Sequence, residues 1–234
     1  LTVALFVITL AFGIVTNGAK NWIDLGFTTI QPSEFAKIFF VLYLASWYMN
    51  YEKHQKNLIT KLSLMIGVYL LIGMFFLQRE LGTAVVFFVV LLISQIAYEK
   101  NWWLIIINVA TAVLGMIAAY YLFAHIRVRF EIWIDPWQDA NDKGYQIIQA
   151  LFAVAEGRFF GTGIGLGKPG HIPLGYSDFI FASIIEEMGT FMGICIILLF
   201  LLLIYRGINI AMKQERDYFS VLALTVSMIY MSQA

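Results

Sequence analysis

The sequence predicts an all-α fold, a polytopic bundle of transmembrane helices with one long extracellular loop. Three observations predict it. First, hydrophobic residues make up 61% of the 234 and charged residues 13%, against about 25% charged in an ordinary soluble domain. Mean hydropathy is +0.80. Second, the apolar residues gather into runs near the roughly 20 residues that cross a hydrocarbon core. Backbone groups find no water there, so each run must be a helix. Third, the loops between the runs alternate in charge.

The expected spans lie at about 1–16, 33–50, 62–78, 81–98, 102–123, 179–205 and 217–234. No ten-residue alternation suggests a β-barrel, no internal repeat is visible, and no broken helix is evident. One membrane domain is expected over 1–234, and both ends fall inside apolar runs, as in a piece of a longer bundle. The single cysteine, Cys195, excludes an internal disulfide framework and a cysteine metal cluster. His54, His125 and His171 have no zinc spacing. Net charge is zero, which suggests no nucleic-acid partner.

Orientation follows from the short loops. Lys53, Lys56 and Lys61 face Glu52; Glu99 and Lys100 form a tight turn; Arg206, Lys213 and Arg216 face Glu215 and Asp217. These loops fall on one side and are net basic, so that side is expected to be cytoplasmic. The other side is acidic, with Asp24, Glu80, Glu131, Asp135, Asp139, Asp142, Glu156 and Asp178. It holds the Asn17–Pro32 loop, the Arg79-Glu80 turn and a segment at about 124–178.

A loop of that length in a compact membrane protein is usually functional. Within it, Tyr145, Ile148, Leu151, Phe152 and Ala155 have helical spacing, which predicts an amphipathic helix to about Phe160. The following Gly161-Thr-Gly-Ile-Gly-Leu-Gly-Lys168 is not a dinucleotide fingerprint, because the spacing is wrong and no strand precedes it. It serves either close backbone approach to a ligand or a turn.

Several residues could carry chemistry. Asp178 stands where the loop enters the 179–205 span. The helix dipole would keep it anionic, which suits a general base or cation ligand; equally, Ser177 or Asp178 is an N-cap. Glu186 and Glu187 lie two turns into the apolar run, about 100° apart, so at least one must face a cavity or partner. Glu186 follows Asp178 by eight residues, close to the same face. Gln31-Pro-Ser-Glu34 reads as a helix start, with Lys37 placed to pair with Glu34. Trp22 is placed as an interface anchor. Arg79 and Glu80 could neutralise each other. Arg127, Arg129 and Lys168 suit a phosphate or pyrophosphate, and equally lipid head groups.

The segments Gly18-Ala-Lys-Asn-Trp22-Ile, Gln31-Pro-Ser-Glu-Phe-Ala-Lys37, Leu81-Gly-Thr-Ala84, Asp135-Pro-Trp-Gln-Asp139, Gly144-Tyr-Gln-Ile-Ile-Gln149, Gly161-Thr-Gly-Ile-Gly165, Ser177-Asp-Phe-Ile-Phe-Ala182 and Glu186-Glu-Met-Gly189 occur in that order. Together they resemble the SEDS family, the FtsW, RodA and SpoVE group. The resemblance implies a protein of about ten spans, of which about seven are here, in the cell membrane. It implies a peptidoglycan glycosyltransferase that polymerises lipid II into glycan strands outside the membrane, in division, elongation or sporulation. It also implies a class B penicillin-binding protein as transpeptidase partner. The family's essential loop aspartate falls on Asp178 and its tryptophan on Trp22. Tyr176-Ser177 stand where the family has His-Thr, and Arg79-Glu80 where it has Pro-Asp.

Asp178 is accordingly expected to deprotonate the acceptor sugar, or to hold a divalent cation (Mg or Mn) near the pyrophosphate. Trp22, Glu80, Arg127, Arg129, Lys168, Glu186 and Glu187 are the expected substrate contacts. No protein metal cluster and no certain cofactor is expected. The rival expectations are a flippase for lipid-linked precursors and a scaffold that docks a synthase.

Overall fold

The computed structural model describes residues 6, 9, 13–16, 19–24, 29–51, 58–78, 80–99 and 101–233. It is helical as expected, and the chain groups into two compact units. Three helices among the described residues are long and apolar enough to cross a membrane: Leu81–Glu99, Trp102–Leu122 and Ile180–Lys213. The protein is a membrane protein.

The first unit comprises Leu1–Ile106 and Leu202–Ala234. Most of the first expected span lies outside the described residues. Its end is not helical: Ile14–Thr16 (β1), Ala19–Asp24 (β2) and Thr29–Ile30 (β3) form an antiparallel sheet. That sheet replaces the expected Asn17–Pro32 loop.

Helix α1 (Pro32–Met49) starts on a proline, whose missing N–H is not needed in a first turn. Helix α2 (Leu58–Leu77) begins before the expected boundary. Helix α3 (Leu81–Ser94) runs into a π-helical turn, Gln95–Glu99. Helix α8 (Asp217–Gln233) packs on α1 and α3.

Their core is aromatic. Phe40 stacks on Phe87 with centroids 4.4 Å apart, and Phe75 meets both Phe6 and Phe87 at 4.9 Å. Two polar contacts lock the basic-loop end: the Tyr48 hydroxyl donates to Glu99 at 2.8 Å, and Tyr98 and Ser220 share a bond of 2.8 Å.

The second unit, Ile107–Leu201, holds most of α4 (Trp102–Leu122) and the long loop. The loop is mostly structured. Helix α5 (Ala124–Ile134) follows α4 at once, then a 3-10 turn (Pro136–Asp139) and α6 (Tyr145–Gly157). The expected amphipathic helix is therefore present and ends three residues early, at the turn that carries Arg158 (φ 45°). A second 3-10 turn, Pro169–His171, leads to α7 (Ile180–Lys213).

Helix α7 is broken. Gly189 has φ 84° and ψ 166°, so residues 180–188 and 190–213 are separate helical arms. The expectation of an unbroken span fails here.

Candidate functional site

The break in α7 organises the second unit's candidate site. A helix end leaves N–H and C=O groups without partners, which is expensive wherever water is absent. The segment leaving α6 supplies those partners. Thr162 and Gly163 donate backbone N–H to the carbonyls of Glu186 and Glu187, at 2.9 and 3.0 Å. Thr190 and Phe191 donate to the carbonyls of Arg158 and Phe159, at 2.9 and 3.1 Å. The Thr190 hydroxyl donates to the Arg158 carbonyl at 2.6 Å, and the Thr162 hydroxyl to the Glu186 carbonyl at 3.0 Å.

The approach is close enough to require glycine on both chain segments, and at Gly157 beside Ile185 as well. A Cβ on Gly189 would overlap the Phe159 carbonyl oxygen, and one on Gly161 (φ 83°) the Glu187 carbonyl oxygen. The glycine series thus brings backbone against its own helix. Below the break, α6 meets the first arm of α7 through small residues: Ala150, Ala153 and Ala182 are buried with Ile172, and small side chains let helices pack closely.

Glu186 is the buried charge of this arrangement, 2% exposed. Its Oε1 accepts the backbone N–H of Lys168 at 2.8 Å. Its Oε2 has no partner among the described residues. The carboxylate lines a cavity of about 80 Å³ with Gln149, Glu156, Lys168 and His171, room for two or three waters at about 30 Å³ each. Gln149 and Glu156 are missing from the sequence-based site. The available signal was their spacing of seven on an amphipathic helix, which places both on one face.

Glu186→Ala should destabilise the protein by about 1–3 kcal/mol, the penalty for orphaning the Lys168 N–H. Glu186→Gln keeps an acceptor and should lose less. Unfolding midpoints in detergent check this; equal losses would mean the bond to Lys168 contributes nothing.

Asp178 is exposed, two residues before α7, and its carboxylate makes no hydrogen bond among the described residues. Ser177 Oγ turns back to the Leu174 carbonyl at 3.4 Å. Neither residue caps the helix by its side chain, so the N-cap reading fails. Asp178 also does not line the Glu186 cavity. It precedes the helix, so helical spacing does not align the two.

Arg127 and Arg129 are both exposed on α5. Arg127 sits 3.9 Å from Glu131, and Arg129 makes no ion pair among the described residues. The Lys168 side chain is exposed. Glu187 is half-buried, its side chain against Gly167. Of the expected contacts, then, the structure joins Lys168 with Glu186 and leaves the arginines apart from that pair.

The first unit carries Trp22 and Glu80. Trp22 is half-buried on β2, paired with Ile14. Glu80 precedes α3, and its Oε1 accepts from Gln31, from Ser33 at 2.8 Å and from Thr83 at 3.1 Å. The expected pairing with Arg79 lies outside the described residues. The Lys37 ammonium pairs with Glu34 at 2.7 Å, as the spacing predicts.

Burial pushes the Glu80 carboxyl above its ordinary value; bonds from Ser33, Thr83 and Gln31 oppose this, and the Glu34 charge adds to it. The folded state therefore holds the Glu80 proton more tightly than the unfolded state. Glu80's contribution to stability is complete below the unfolded value and is lost as pH rises through the folded one. Thermal stability should therefore fall across that window, and Glu80→Gln should flatten the slope; an unchanged slope would contradict the assignment.

Among the described residues no three His, Cys, Asp or Glu side chains converge on a metal position. The donors present do not form a cation cage, and no chemical step is assigned to a bound cation.

The family model FtsW/RodA/SpoVE, described as cell cycle protein, matches residues 1–234. The peptidoglycan glycosyltransferase RodA of Mycobacterium bovis is 30% identical over 224 residues, covering 90% of this chain and 48% of that protein. The probable peptidoglycan glycosyltransferase FtsW of Pseudoalteromonas translucida is 33% identical, covering 98% of this chain and 59% of that protein. The stage V sporulation protein E of Bacillus subtilis is 32% identical, covering 93% and 60%. The chain thus spans about half to three-fifths of these relatives' length. A chain in a solved peptidoglycan synthase complex shares the fold, with TM-score 0.79 and 23% identity over 97% of this chain and 64% of that one.

Proposed function

The chain belongs to the FtsW/RodA/SpoVE family of cell cycle proteins, and on that premise we propose that its parent protein is a peptidoglycan glycosyltransferase, polymerising lipid II on the extracytoplasmic face. The observation that carries this reading is Asp178: an exposed, uncapped carboxylate at the mouth of an apolar helix, in a chain whose relatives are named for that activity.

In this mechanism Asp178 takes the proton from the acceptor sugar's hydroxyl. The oxygen attacks the anomeric carbon of the polyprenyl-linked strand. The carbon–oxygen bond to pyrophosphate breaks, and polyprenyl pyrophosphate leaves with the electron pair. Lys168 offsets the charge that develops on it. Glu186 acts through the Lys168 backbone, holding that cation in place. Glu187 contacts the lipid-linked substrate. The partners are the nascent glycan strand and a class B penicillin-binding protein that crosslinks it.

One observation favours a second reading, translocation of a lipid-linked precursor: transporters use broken membrane helices, whose free backbone groups meet substrate. Here the backbone groups at the Gly189 break are taken by residues 158–163, which supports the enzyme. The two readings separate in sealed vesicles holding the full-length protein, its partner and labelled lipid II. Polymer formation supports the polymerase. Label crossing the membrane without polymer would replace it with the transporter.

A further inference from the structure

A second concavity lies on the same face of α6, and the proposed reaction does not use it. It is an open groove of about 670 Å³, within the range of small-ligand sites. Gln149, Phe152 and Glu156 line it from α6, spaced by three and four residues, and Arg158, just past the helix, lines it as well. Phe152 is 48% exposed, and the ring of Trp137, 56% exposed, stands 5.9 Å from it at 61°.

Arg158 is held in an unusual way. Its backbone has φ 45°, a conformation most side chains avoid. Its carbonyl is pinned by both the N–H and the hydroxyl of Thr190. The guanidinium makes no ion pair among the described residues. The fold thus maintains a strained backbone and leaves an uncommitted fork of donors among the groove's lining residues.

The lining selects a ligand class. A lipid tail is excluded by an amide, a carboxylate and a guanidinium on the walls, because each would lose its water without replacement. A simple phosphate fits poorly beside the Glu156 carboxylate. A pyranose ring fits all of it. One face of the ring carries C–H groups, which lie against an aromatic ring. Its rim carries hydroxyl and acetamido groups, which both donate and accept. Glu156 takes the donors, Gln149 serves either role, and Arg158 presents two parallel N–H groups.

We propose that this groove is a saccharide-binding subsite that holds sugar units of the glycan strand, with Phe152 as stacking platform and Arg158 as fork. The choice of glycan strand rests on the polymerase reading above; the saccharide class rests on the lining alone.

The test uses the full-length protein in detergent micelles, titrated by calorimetry with the tetramer of N-acetylglucosamine. Wild type should bind it. Phe152→Ala should bind about tenfold more weakly, the size expected for losing one aromatic face. Arg158→Gln, which keeps the aliphatic stem, should bind more weakly as well and covers the case in which Phe152→Ala fails to fold. No heat of binding from wild type, or equal affinity in a folded Phe152→Ala or Arg158→Gln protein, would overturn the subsite even if lipid II is still polymerised. Binding by a wild-type protein that makes no polymer would keep the subsite and sink the polymerase.

Discussion

Gly189→Ala is expected to destabilise the protein by roughly 3–6 kcal/mol, from backbone strain together with lost buried hydrogen bonds. The backbone there, at φ 84° and ψ 166°, lies in a region open essentially to glycine alone. A Cβ would meet the Phe159 carbonyl oxygen, the acceptor for Phe191 N–H. Relieving that overlap means withdrawing residues 158–163 from the break. The bonds at Thr190 and Phe191 then open, and those from Thr162 and Gly163 weaken. The loss should appear as a lower unfolding midpoint and a lower yield of folded protein in detergent. Gly170→Ala is the matched control, because nothing lies within 4 Å of its new methyl. Equal midpoints for the two variants would show that the break tolerates a side chain.

The second large effect concerns chemistry. A positioned general base contributes about 10²–10⁴ in rate, so Asp178→Asn should lower kcat for lipid II polymerisation by that order. The side chain is exposed and bonds to nothing among the described residues, so the fold should survive. The loss should fall on kcat with KM little changed, as for an interaction made in the transition state. Asp178→Glu keeps the base on a longer arm and should retain part of the rate. A loss confined to KM would make Asp178 a binding residue.

Hydrophobic patterning made the outline legible. The spans at 102–123 and 217–234 and the amphipathic helix from Tyr145 match α4, α8 and α6 closely, because in each the apolar period is uninterrupted. Helix α5 was missed because Arg127, Arg129 and Glu131 interrupt it and nothing on it is buried. The sheet at β1–β3 was missed because its strands are too short for an alternation to show.

The break in α7 is the instructive failure. No proline lies near Gly189, and the cause of the break is distant: carbonyls and N–H groups from residues 158–163. Backbone partners leave no trace in side-chain pattern. The same holds at the site. Both Glu186 and Lys168 were legible as candidates, yet their bond uses the Lys168 backbone, so pairing by charge could not find it. Asp178 was legible by its position, while its freedom from capping required the geometry.

In the proposed mechanism the full-length protein forms the glycosidic bond, with Asp178 as base. Its most direct test is lipid II polymerisation by the full-length protein purified with its transpeptidase partner, the partner's serine acylated by a β-lactam so that crosslinking is silent. Wild type should give uncrosslinked glycan strands, with one polyprenyl pyrophosphate released per bond, and Asp178→Asn almost none. Strands formed at the wild-type rate by the Asp178→Asn protein would contradict it.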